Sequence, residues 1–222
     1  MTSGTEAMPI ARQQYCQDAP NDNPQHSQFL RDEKAKSNVA KNKETLILFN
    51  QYSPDQQWEI WEGIEKNLDV QKYANPKFTA WQMWKIRDAL EEGFDVTALC
   101  DPSHDDYMTT VLHRSLTEGF DFQPYLEQGY NAAQINEIRA GARSNVNYLI
   151  YAKTYFNEDQ MHTIRTGLEK EQDISRILDP RYSADSMQLI LIAQKEKKIT
   201  LESINPKMSY TDIIHHINSH ER

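Results

Sequence analysis

The chain has 222 residues, a net charge of −9 and an isoelectric point near 5.3, and its mean hydropathy of −0.79 is low for a compact core. The acidity disfavours nonspecific nucleic-acid binding, which rests on Lys and Arg contacts to phosphate. No stretch approaches the ~20 apolar residues of a membrane span, the N-terminus lacks the apolar segment of a signal peptide, and Cys16 and Cys100 form no CxxC pair; a soluble, cytoplasmic protein with no cofactor is expected.

Residues 1–43 are polar and form an N-terminal arm, with a helix expected over 27–41, where Phe29, Leu30, Ala35 and Val39 make a partial apolar stripe. Residues 44–51 form a degenerate half-repeat cap, because Ile47 and Leu48 lie 26 residues before Tyr73 and Ala74. Terminal repeats of an array need such caps.

From Tyr52 onward a 26-residue register holds without insertion. One column reads Ser53, Thr79, Asp105, Asn131, Asn157, Ser183 and Ser209. Every member can accept a hydrogen bond from a free amide at a helix start. Gln56, Gln82, Gln134 and Gln160 stand three residues later and complete capping boxes. An aromatic residue before the cap and Met83, Ile135, Met161 or Met187 after it supply hydrophobic staples. Ile60, Ile86, Leu112, Ile138, Ile164 and Ile190 form the apolar column of the helix body. A small column follows, at Gly63, Ala89, Ser115, Gly141, Gly167 and Ala193. A mid-helix glycine costs about 1 kcal/mol against alanine, so its reuse predicts close approach by a neighbouring helix.

Asn67, Gly93, Gly119 and Asn145 suit left-handed C-terminal caps. Asp69, Asp95, Asp121, Asn147 and Asp173 then cap a second helix of about six residues. Its buried positions are expected to be triplets such as Val70/Tyr73/Ala74, Phe122/Tyr125/Leu126, Tyr148/Tyr151/Ala152 and Ile174/Ile177/Leu178. Pro76, Pro102, Pro180 and Pro206 stop it. The predicted fold is an all-α solenoid of undetermined hand. It has six helix–turn–helix repeats over 52–207 and a capping helix and tail over 208–222.

No catalytic or metal constellation emerges. The aspartates of the cap column fall on different repeats, and the adjacent His215 and His216 have no fixed third ligand. Two features remain as candidate partner-binding residues. Arg87, Arg139 and Arg165 share a column at the edge of the apolar stripe. They either pair with Glu91, Glu118 and Glu169 or form a ladder that grips an acidic partner or a phosphate backbone. Trp58, Trp61, Trp81 and Trp84 all fall in the first two repeats. Trp58 and Trp84 share a column nearly opposite Ile60 and Ile86, which predicts either an exposed hot-spot patch or indoles covered by the arm.

The units FTAWQMWKIRDALEEGFDVTALCDP and FNEDQMHTIRTGLEKEQDISRILDP resemble a short helical repeat of the form QMxxIRxGLExGxDVxxYxxP, found in Gram-positive bacteria and their plasmids and phages. Met108 and Ser186 depart from its Gln, and Arg143 stands where Glu is usual. The resemblance implies an interaction module, often on mobile genetic elements, with no catalytic residues. The expected function is therefore non-enzymatic protein binding by a solenoid. An inhibitor of a host defence system, encoded by a phage or mobile element, is one form of it. Nucleic-acid binding through the Arg column is the alternative.

Overall fold

The computed structural model describes residues 48–195 and 204–219. The arm over 1–43, its helix over 27–41, residues 44–47 of the half-repeat cap and the second-helix position at Ile199 lie outside the described residues. Among the described residues the fold is all-α, with eight helices and no strand. These are α1 (Pro54–Glu65), α2 (Ala80–Glu91), α3 (Asp106–Thr117), α4 (Gln123–Glu127), α5 (Ala132–Arg143), α6 (Glu158–Glu169), α7 (Ala184–Lys195) and α8 (Tyr210–Ser219). The chain divides into two compact units between His113 and Arg114, inside α3. In the first unit α1 packs on α2; in the second, α5 packs on α6, α6 on α7 and α7 on α8.

All seven cap residues accept the amide proton of the third residue beyond them. Ser53, Thr79, Asn131 and Asn157 make complete capping boxes with their glutamines. At the last helix Asp212 returns the bond in place of Gln. Each side-chain cap contributes about 1 kcal/mol. The C-terminal turns close in the same local way. Leu68, Phe94, Phe120, Val146 and Gln172 donate back to the carbonyls of Gly63, Ala89, Ser115, Gly141 and Gly167. The intervening Asn67, Gly93, Gly119, Asn145 and Glu171 take positive φ.

The second helix is shorter than expected. At Val70–Lys72, Thr97–Leu99, Tyr148–Ile150 and Ser175–Ile177 it is a single 3-10 turn, and only α4 is α-helical. Asp95, Asp121 and Asp173 bond the amide two residues on, whereas Asp69 and Asn147 make no side-chain cap. Pro76, Pro102 and Pro180 follow three of these turns, but Gln128 and Thr154 stand at the equivalent places after α4 and after the turn at Tyr148–Ile150, so proline alone does not set the length of the segment.

Ile60, Ile86, Leu112, Ile138, Ile164 and Ile190 are all buried, each contributing about 1.5–3 kcal/mol by leaving water. The second-helix triplets are less deeply buried than expected. Tyr73, Leu99, Tyr151 and Ile177 are fully enclosed, whereas Tyr125 and Tyr148 are half-buried and Leu178 is exposed. In the small column the expected approach of a neighbouring helix is found at Gly167, where a Cβ would lie 3.2 Å from Leu191 of α7, but two other glycines have a different reason. What approaches Gly63 and Gly141 is a tyrosine of the same repeat. A Cβ at either glycine would lie 1.9 Å from the hydroxyl oxygen of Tyr73 or Tyr151. Those hydroxyls donate to the carbonyls of Glu59 and Glu137, each at 3.0 Å.

Candidate functional site

The tryptophans lie on α1 and α2 of the first unit. Trp61 is buried and packs 6.3 Å from Phe49, which corrects its expected role as a surface anchor. Trp58, Trp81 and Trp84 are half-buried rather than fully exposed. A helical wheel places them away from the isoleucine column, but it does not report the depth added by packed neighbours. Trp81 and Trp84 meet edge to face, with ring centroids 4.8 Å apart. The Trp81 indole N–H donates to the Thr110 hydroxyl at 3.0 Å, which locks that ring against α3. Lys85 is only 5% exposed, and its Nζ lies 4.2 Å from the Trp84 ring centre and 5.2 Å from that of Trp81. Ring faces attract a cation, so both indoles favour the ammonium that lies against them.

The arginine column is spent inside the chain. Arg87 donates through Nε to Glu59 at 2.8 Å and through Nη1 to Glu91. Arg165 repeats this with Glu137 at 2.8 Å and Glu169 at 2.6 Å. Arg139 pairs with Glu118 at 2.5 Å and with the Asn136 side chain at 2.8 Å. Arg87 and Arg139 are buried, and the Arg165 side chain is 14% exposed. As partner-binding residues these three are corrected: their guanidinium groups already face carboxylates. The partners Glu59 and Glu137 went unforeseen, although both lie 28 residues before an arginine. The corresponding residue before Arg139 is Val111, which cannot pair, and before His113 it is Lys85.

Glutamine carries a second duty that helix-start reasoning misses. The side-chain amide of Gln56 donates to the carbonyls of Pro76 and Phe78, and that of Gln160 to those of Pro180 and Tyr182. Gln82 and Gln134 do the same to His104 and Phe156. One side chain thereby caps its own helix and ties down the loop that opens the next repeat.

The charge is uneven. Residues 52–113 carry twelve acidic side chains against five basic ones. Of those five, Lys85 and Arg87 are buried and Lys66 pairs with Glu91 at 2.7 Å. Residues 52–113, the segment that holds the aromatic cluster, are therefore strongly acidic. Its cleft of about 450 Å³ is open and is lined by Lys77, Thr79, Gln82, His104, Asp106 and Tyr107, among others. Among the described residues no group of three or more His, Cys, Asp and Glu side chains could hold a metal, and no helix is long and apolar enough to cross a membrane. Cys100 is half-buried, and burial pushes its thiol up to about 11, away from the reactive thiolate. No family model, curated protein or solved structure matches the chain.

Proposed function

We propose that the chain is a non-enzymatic, protein-binding solenoid of six 26-residue repeats that docks a basic protein on the Trp-bearing first unit. The observation that carries this is the pairing of a half-buried Trp81–Trp84 cluster with the net acidity of residues 52–113. Large aromatics with polar edges are the usual energetic centres of protein interfaces, and complementary charge speeds and selects the encounter. The repeat resemblance and the acidity support a narrower form: an inhibitor encoded by a mobile element that competes for the basic site of a host defence protein. Burial of Arg87 and Arg139 weighs against the nucleic-acid alternative, because a phosphate ladder needs free cations.

The test is affinity purification of the tagged chain from its native host, comparing the native sequence with the Trp58→Ala/Trp84→Ala variant. One basic protein should be retained by the native chain, released by salt and lost with the variant. The variant's helical circular dichroism and Tm should stay near those of the native chain. A large fall in Tm, or retention undiminished in the variant, overturns the proposed anchor.

A further inference from the structure

The third repeat keeps the tyrosine of the first and fourth repeats without the glycine that seats it there. Tyr73 and Tyr151 are enclosed because Gly63 and Gly141 leave room for their hydroxyl groups. Where alanine stands instead, at Ala89, the ring is replaced by the shorter Leu99. In the third repeat the chain sets Ser115 against Tyr125. Ser115 is fully buried and brings the Cβ that a tyrosine in this pose cannot tolerate.

Tyr125 is accordingly half-buried, and it joins a surface cluster. Its ring stacks on Phe120 at 5.8 Å with 9° between planes and meets Tyr130 edge-on at 5.6 Å. Phe120 also meets the Tyr148 ring edge-on at 6.2 Å. Tyr155 is 59% exposed and packs on Phe156, and the exposed Lys153 stands two residues before it. From Gly119 to Asn131 the chain carries Asp121 and Glu127 and no cation. Both carboxylates are exposed; Asp121 accepts from the Gln123 amide N–H and Glu127 from the Gln123 side chain. Neither forms an ion pair among the described residues.

We propose that Phe120, Tyr125 and Tyr148 form a second interaction surface, on the second unit, which takes an arginine-bearing segment of a protein partner. A guanidinium is planar and weakly hydrated, so it stacks on tyrosine and phenylalanine faces while its fork reaches a carboxylate. An ammonium satisfies the charge but not the stacking. A phosphate chain finds two carboxylates where it needs cations. The surface is separate from the tryptophan cluster and stands or falls independently of it.

The experiment titrates the full chain with a short Arg-Gly repeat peptide, with matched Lys-Gly and Glu-Gly peptides, and with a single-stranded oligonucleotide, following the tyrosine ring resonances. The Arg-Gly peptide should bind roughly tenfold tighter than the Lys-Gly peptide, with shifts at Tyr125 and Tyr148. Tyr125→Ala and Asp121→Asn should each weaken it several-fold. Ser115→Gly, which lets Tyr125 withdraw, should weaken it without removing a ring. Tyr210→Ala, a comparably exposed tyrosine on α8, should leave binding unchanged. Equal binding of the two basic peptides, indifference to Tyr125→Ala with the fold intact, or preference for the oligonucleotide or the Glu-Gly peptide overturns the proposal.

Discussion

Gly141→Ala tests whether the tyrosine slot holds the repeat together. The added Cβ would sit 1.9 Å from the Tyr151 hydroxyl oxygen and 3.1 Å from the ring carbon bearing it. Ordinary contact between carbon and oxygen is about 3.3–3.6 Å, so the ring must retreat by more than 1 Å. That breaks the 3.0 Å bond from Tyr151 to the Glu137 carbonyl, which costs about 1–3 kcal/mol for a buried group. Overpacking adds about 1–3 kcal/mol, and the better helix propensity of alanine returns about 1 kcal/mol. The expected net loss is about 3 kcal/mol. The chain also holds the remedy, since Ala89 sits with Leu99 in the second repeat. Gly141→Ala combined with Tyr151→Leu should be no less stable than Tyr151→Leu alone, a coupling of about 2–3 kcal/mol between the two sites. Urea denaturation followed by circular dichroism measures all four chains, read as midpoint shifts at constant slope. If Gly141→Ala is neutral or stabilising, or if the two single losses add, the slot is not what the glycine serves.

Gln160→Met should cost about 2–3 kcal/mol through the lost capping box and the two bonds to Pro180 and Tyr182. Gln160→Glu keeps the cap acceptor and loses only those donors, so native-like stability in that variant would show the loop bonds to be idle. Glu171 holds φ at 54° where other repeats use Gly or Asn; Glu171→Gly should raise stability by about 1 kcal/mol, and an unchanged urea midpoint would contradict a strained backbone there. In a Cys16→Ser chain the Cys100 thiol should react slowly with a disulfide reagent until the pH nears about 11; a rate matching that of the unfolded chain at lower pH would place the thiol in water. Burial raises the tyrosine hydroxyls, Tyr125 up to about 12 and Tyr73 and Tyr151 further, from an ordinary 10.0. The folded chain thus keeps protons that the unfolded chain releases, so stability is intact below pH 10 and falls as pH rises toward 12. A urea midpoint flat across that window would refute the shifts.

What is legible in the residues alone is what three or four consecutive positions decide. Ser53 with Gln56, or Asn157 with Gln160, closes its bonds within one turn, and so does the positive φ at Asn67 or Gly93. The isoleucine column is equally local, because helical period fixes the face. The misses share a different character. Glu59 reaches Arg87 across 28 positions, and Gln56 reaches Phe78 across 22. Those spans depend on how one helix lies against the next, which no single-helix pattern contains. The tryptophans show the same limit: the wheel separates Trp58 and Trp84 from Ile60 and Ile86, yet the depth of burial that removes Trp61 as an anchor comes from Phe49 and the neighbouring chain.

Columns that recur along the sequence serve folding, so the residues that break a column are where the structure has given something up. The third repeat breaks four. Met108 stands for the capping Gln, His113 for the Arg, Ser115 for the Gly and Gln128 for the Pro. Asp105 still accepts the Met108 amide, but no side chain at 108 returns the bond. His113 reaches Asp88 at 3.0 Å with an imidazole in place of a fork. Ser115 keeps Tyr125 out of an enclosed pose, and the short segment winds into α4. Together these departures accompany a turn of true helix that carries a half-exposed tyrosine beside Asp121 and Glu127, each of which accepts a bond from Gln123. A seat that admits no enclosed ring, in a chain that still places tyrosine at 125, is the pattern expected when exposure of Tyr125 serves a purpose that burial would defeat.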